Sequence, residues 1–251
     1  MVYQGSKSSL RKYIVPILQK CINDNHIDCY IEPFVGGANM IDHIDCNLKF
    51  GSDNNSELIA LLNYMKQDEN LSIFPDDCTF EHYKDVRDNR KTKGNKYNKV
   101  YTAGIGYFAS YGGRYFDGGY GRDNKGGRSI YKERLKNARE QARNPKFKDI
   151  NRFEVKDYTE WQDVKDCLFY LDPPYKNTKT YCGKNDFDYE KFYDFARKLS
   201  VYNFVFISEY SMPSDFICVW SKERNVMQKS DRKNADVATE KLFVPYVLDR
   251  I

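Results

Sequence analysis

Apolar positions along the chain follow two rhythms. In "SKSSLRKYIVPILQKCIND", Leu10, Ile14, Ile17, Leu18, Cys21 and Ile22 recur at helical spacing. They predict a helix capped at Ser8 or Ser9, with Pro16 imposing a kink or a late start. "DCYIEPFVGGANM" reads as a short strand, a glycine turn and a helix. "LKFGSDNNSELIALLNYMK" gives a strand ending on Asp53, then a helix capped from Asn54 or Asn55, with Leu58, Ile59, Leu61, Leu62 and Met65 on one broad face. Further on, "RFEVKDY", "CLFYL" and "YNFVFIS" read as strands, and "KERLKNAREQARN" and "YEKFYDFARKLS" as helices. "DFICVWSK" and "KLFVPYVL" read as late strands that can form a hairpin. Strands alternating with helices predict an α/β fold whose largely parallel sheet is covered on both faces. No internal repeat interrupts the pattern.

The middle of the chain departs from it. Residues 94–127 hold 10 of the 15 glycines, and 97–131 hold 7 of the 21 tyrosines. From Lys84 to Lys148 there are 18 Lys or Arg against 6 Asp or Glu, a net of +12; the whole chain carries +4, so the remainder carries −8. A basic block of that size points to a polyanionic partner.

Composition narrows the class. With 41% hydrophobic and 16% aromatic residues the chain can build a packed core. No apolar run approaches the roughly 18 residues that span a bilayer, and no apolar stretch follows the basic residues of "MVYQGSKSSLRKY" as a signal peptide requires. Seven dispersed cysteines, none in a Cys-x-x-Cys pair, and three histidines argue against a metal site and suit a reducing cytoplasm. No apolar heptads are present, so a monomer is expected.

Three places carry candidate chemistry. Ligands of an open α/β sheet bind beyond the carboxyl ends of its strands. Gly36 and Gly37 of "EPFVGGANM" let backbone approach a ligand there, though their spacing lacks the G-x-G-x-x-G cradle of a dinucleotide site. That spacing also removes a nicotinamide oxidoreductase from consideration. Asp53 ends the second strand, where ribose hydroxyls are held in nucleotide folds; capping the next helix is the competing role. The third place is "FYLDPPYKN". A buried strand stops at Asp172, and Pro173 and Pro174 then stiffen the chain before Tyr175.

Together these motifs resemble those of the Dam-like, phage-type DNA adenine methyltransferases. "LDPPY" resembles the family's catalytic motif, "YQGSKSSL" its N-terminal cofactor motif, "EPFVGGANM" its glycine motif and "SDNNSELIALLNYMK" its acidic motif. "FEVKDY" is similar to the strand-end acid and aromatic beside the cofactor adenine, and "ATEKLFVPY" to the C-terminal strand.

The resemblance implies a Rossmann-like S-adenosylmethionine-dependent methyltransferase sheet, residues 1–64 and 150–251, with an inserted, mainly helical target recognition domain at 65–149. It implies transfer of a methyl group from S-adenosylmethionine to N6 of an adenine flipped out of double-stranded DNA, with S-adenosylhomocysteine as product. Asp172, Pro173, Pro174 and Tyr175 become the catalytic set. Tyr3, Lys7, Glu32, Pro33, Phe34, Gly36, Gly37, Asp53, Asn54, Asp157, Tyr158 and Asp172 become the cofactor set. Tyr111, Arg114, Arg122, Arg128 and Lys176 become DNA contacts. A cognate restriction endonuclease is the companion enzyme such a family allows.

Two alternatives stay open at this point: cytosine N4 as the target, and a catalytically silent nucleic-acid binder. The chain departs from GATC-reading members, whose loop bears asparagine and proline where this one reads "GGRYFDGGYGRDNKGG". The target sequence is therefore not implied.

Overall fold

The structure, a computed structural model, describes residues 1–90, 96–122, 129–176, 187–226 and 236–246. Seven strands form one sheet: β1 (Cys29–Glu32), β2 (Leu48–Asp53), β3 (Arg152–Val155), β4 (Leu168–Leu171), β5 (Phe204–Glu209), β6 (Phe216–Val226) and β7 (Asp236–Pro245). Their spatial order is β3-β2-β1-β4-β5-β7-β6. The first five are parallel; β7 runs antiparallel to both of its neighbours, β5 and β6. This is a Rossmann-like methyltransferase sheet. Strand order reverses between β1 and β4, the switch point where such sheets bind ligands.

Two apolar clusters cover the two faces. One gathers Ile14, Leu18 and Ile22 of α1 (Arg11–Asp24), Leu58, Leu61 and Leu62 of α2 (Ser56–Gln67), and Tyr30 and Tyr170 of the sheet. The other gathers Phe192, Phe195 and Leu199 of α7 (Tyr189–Ser200) with Ile31, Phe169 and Ile207. Strands buried on both faces explain the unbroken apolar run of "LFYL".

The chain between β2 and β3 is helical: α2, α3 (Phe80–Asn89), α4 (Lys99–Ala109), α5 (Ile130–Arg143) and α6 (Pro145–Lys148). Its buried residues belong to the same cluster as α1, so these helices share one continuous core with the sheet. Gly104 is the tightest point: a Cβ there would stand 2.1 Å from the Phe74 ring. Overpacking a filled core costs about 1–3 kcal/mol. We expect Gly104→Ala to lower the urea midpoint accordingly; an unchanged midpoint would show that the Phe74 ring can move aside.

Local sequence explains most element ends. The Asn55 side chain accepts the backbone N–H groups of Glu57 and Leu58 and starts α2, as expected. Two expectations fail. Neither Ser8 nor Ser9 caps α1: the cap position is Leu10, without a side-chain bond, because the N–H groups of Leu10 and Arg11 already donate to the Lys7 carbonyl. The helix starts at Arg11 and runs through Pro16, so the proline does not delay it. Nor does a full helix follow the glycine turn. Gly36 and Ala38 both take positive φ, and only one 3-10 turn, Ile41–His43, fits before the chain enters β2.

Candidate active site

Four acids sit where strands end. Glu32 closes β1, Asp53 closes β2, Asp172 follows β4 directly and Glu209 closes β5. Parallel strands place all four on the carboxyl edge. Burial raises each. Glu32 is pushed well above the carboxylate range, despite a 2.6 Å hydrogen bond from the Tyr30 hydroxyl. Asp53 and Asp172 rise to about 6, and Glu209 to about 7.

Asp53 ties the second strand to the glycine turn. Its Oδ2 accepts the Gly36 N–H at 3.3 Å and its Oδ1 the Asn55 N–H at 2.9 Å. Gly36 has φ +48°, and a Cβ on it would stand 3.0 Å from the Tyr3 ring. The structure thus brings Tyr3, Gly36, Gly37 and Asp53 together. Asn54 is exposed beside them, and Pro33 is buried.

Phe34 leads to a second group: its ring stacks on Tyr158 at 5.3 Å. Asp157 precedes Tyr158 but is exposed, and its Oδ1 accepts the Thr159 N–H at 3.0 Å. That oxygen is engaged locally, in a capping box with Glu160.

The catalytic candidate lies at the reversal of strand order. Asp172 is 18% exposed, and Lys7, 6% exposed, stands with Nζ 3.0 Å from Asp172 Oδ1. Among the described residues no aligned hydrogen-bond donor satisfies that oxygen; the lysine contact is an ion pair. Lys7 Nζ also lies 4.1 Å from the centre of the Tyr175 ring, so the ammonium covers that face of it. The Tyr175 hydroxyl donates to Glu240 Oε2 at 2.9 Å, and the Tyr189 hydroxyl donates to the Pro174 carbonyl at 3.0 Å. Pro173 is buried and Pro174 exposed. Sequence reading missed Glu209 and Glu240. The signal for Glu209 was present, since "FISE" is one more apolar strand ending on an acid.

Beside the Lys7 turn runs a cleft of about 440 Å³, lined among others by Tyr3, Gly5, Ser8, Tyr111 and Arg114. Tyr111 and Arg114 therefore approach the N-terminal segment around Tyr3 and Gly5, from which they are remote in sequence. Tyr111 is 62% exposed. The other six tyrosines of the glycine-rich block are packing residues. Tyr107 and Tyr131 are buried, and Tyr97, Tyr101, Tyr115 and Tyr120 are half-buried in ring contacts. Arg122 is exposed. Lys176 is exposed too, with Nζ 5.5 Å from the Tyr189 ring centre. Arg128 lies outside the described residues. No group of His, Cys, Asp and Glu among the described residues could hold a metal ion, and no helix there is long and apolar enough to cross a membrane.

Comparison with known proteins identifies the family. No curated protein matches the chain. The family model of the D12 class N6 adenine-specific DNA methyltransferases matches residues 3–234, which include Lys7, Glu32, Asp53, Asp172, Tyr175 and Glu209 and end before β7 with its Glu240. The match spans most of the sequence, and the chain belongs to that family of adenine-specific DNA methyltransferases.

Proposed function

We propose that the chain transfers the methyl group of S-adenosylmethionine to N6 of an adenine turned out of duplex DNA, with Asp172 as the group that meets the amino nitrogen. The observation that carries this reading is the Asp172 carboxylate: 18% exposed at the switch point of the sheet, with its buried Oδ1 left without an aligned hydrogen-bond donor among the described residues. An exocyclic amino group is a weak nucleophile because its lone pair is delocalised into the ring. Acceptors on its hydrogens localise that pair and stabilise the cation that forms as the nitrogen is alkylated. Asp172 provides a carboxylate for this and Pro173 a backbone carbonyl. The two proline rings fix φ on either side of that carbonyl.

The donor set suits the cofactor. S-adenosylmethionine, when bound, supplies an electrophilic methyl on a sulfonium. A cationic ligand is favoured by an edge lined with Glu32, Asp53, Asp172 and Glu209, whose ionised forms burial disfavours. Tyr3, Pro33, Phe34, Gly36, Gly37, Asn54, Asp157 and Tyr158 would complete that pocket, with Asp53 toward the ribose hydroxyls. Lys7 keeps Asp172 ionised and oriented.

DNA would lie over the same edge. Tyr111 and Arg114 border it, and Arg122, Arg128 and Lys176 would add phosphate or base contacts. The helical segment 65–149 would serve as the target recognition region. Turning the base out of the stack costs a few kcal/mol, repaid by contacts with Tyr175 and Asp172.

Incubation with labelled S-adenosylmethionine and mixed-sequence duplex DNA, followed by digestion to nucleosides, tests the reading. We expect label in N6-methyladenine. Label confined to methylcytosine would move the target base, and no transfer to any duplex would overturn the reading.

A further inference from the structure

We propose that Glu209 and Tyr210, at the end of β5, form with Glu240 of β7 a clamp that positions Tyr175 and the chain leaving Asp172, so that transfer depends on residues outside the motif that performs it. The proposal rests on the catalytic reading of Asp172 given above.

The need for a clamp lies in the motif itself. Proline has no N–H, so two successive residues after Asp172 offer no backbone donor by which surrounding structure can grip them. A segment required to hold a carboxylate and a carbonyl in fixed directions is thus left without backbone donors there, and the Tyr189 hydroxyl grips it only through the Pro174 carbonyl. The nearest donor beyond the prolines and Tyr175 is the N–H of Lys176, and Glu209 takes it.

The geometry is two-sided. Glu209 Oε2 accepts the Lys176 N–H at 3.1 Å and Oε1 accepts the Tyr210 N–H at 2.7 Å. Glu209 is only 1% exposed. Burying a carboxylate is costly unless donors surround it, so its presence here calls for donors that only a carboxylate can serve. Two backbone N–H groups, from two chain segments, meet that condition. The neighbouring Tyr210 ring then meets Tyr175 edge-on, with centroids 4.6 Å apart and planes at 82°. From β7, Glu240 accepts the Tyr175 hydroxyl at 2.9 Å. Tyr175 is packed against the Tyr210 ring and held at its hydroxyl by Glu240, while Glu209 holds the next residue.

Glu209→Gln is the discriminating variant. It preserves shape, but an amide has one acceptor oxygen, and its NH2 would face one of the two N–H groups. A misplacement of about 1 Å in a site can cost on the order of 100-fold in rate. We expect Glu209→Gln in the full chain to lose roughly 10- to 100-fold in kcat on DNA at saturating cofactor, measured on the folded fraction. Tyr210→Leu should lower kcat in the same way, and Tyr210→Phe, which keeps the ring, should restore it. A structural role alone would move the melting temperature and leave kcat of the folded fraction intact.

Full kcat in Glu209→Gln overturns the clamp. If that variant does not fold, the Tyr210 pair decides alone, and equal kcat in the Leu and Phe variants overturns it. Asp172→Ala separates the two levels. Loss of transfer in Asp172→Ala beside full transfer in Glu209→Gln and Tyr210→Leu sinks the clamp and leaves the catalytic reading standing. Unchanged transfer in Asp172→Ala sinks the catalytic reading itself.

Discussion

Asp172→Ala is expected to lower methyl transfer by at least roughly 10²–10³-fold, the cost of removing one preorganised polar partner of a developing charge. Cofactor binding should fall much less, because Glu32, Asp53 and Glu209 remain on the same edge. The variant also leaves Lys7 buried without its counter-ion, 3.0 Å from where the carboxylate stood. Some loss of stability will therefore accompany the loss of rate, and Asp172→Asn is the better-folded companion. Its amide keeps the shape and one acceptor while removing the charge, so it should retain more transfer than alanine and less than the native residue. Single-turnover rates with pre-bound cofactor, read beside cofactor affinity by calorimetry, separate the two effects. A full native rate in either variant would show that another group meets the amino nitrogen.

The second large effect is a pair of opposed pH dependences. Burial raises Asp53 and Asp172 to about 6 and Glu209 to about 7. In the unfolded chain these groups ionise near 4. Between those limits the folded state binds more protons than the unfolded one, so stability falls as pH rises through the folded values. For Glu209 alone the difference is on the order of 3 kcal/mol. His43, lowered by its burial, acts in the opposite sense in the same region, so a single group should be isolated by difference. The stability of the native protein relative to Glu209→Gln should decline from pH 5 to pH 8. Affinity for a cationic cofactor must run the other way, rising over the same range as the acids ionise. Chemical unfolding and calorimetric titration across that range measure both. Parallel trends would mean that the carboxylates do not face the cofactor.

Much of this was legible in the sequence because the signals are local. The helix cap at Asn55 follows from side-chain chemistry within three residues, and "CLFYL" declares a strand buried on both faces by its unbroken apolar run. The glycine turn was harder. Positive φ at Ala38 cannot be read from alanine, and it is one of the features that prevent the expected helix. The start of α1 was missed because main-chain bonds from Leu10 and Arg11 to Lys7 replaced the serine cap. Glu240 could not be found without strand register, since only the insertion of β7 beside β5 brings it to Tyr175. Six tyrosines of the basic block are packing residues: helical phase turns Tyr101, Tyr107 and Tyr131 inward, and the irregular chain around Tyr97, Tyr115 and Tyr120 does the same, neither of which composition reveals.

The position of β7 has a consequence for synthesis on the ribosome. It is made after the other six described strands, yet it lies between β5 and β6 rather than at the margin of the sheet. A nascent chain that has emerged only through β6 has no neighbour for that strand and an open edge on β5, the kind of edge that recruits other chains. Lys7, Asp172 and Glu209 are all out by then, but Tyr175 still lacks Glu240. The strand that brings Glu240 to Tyr175 is therefore the same one that covers the open edge of β5 and gives β6 its partner.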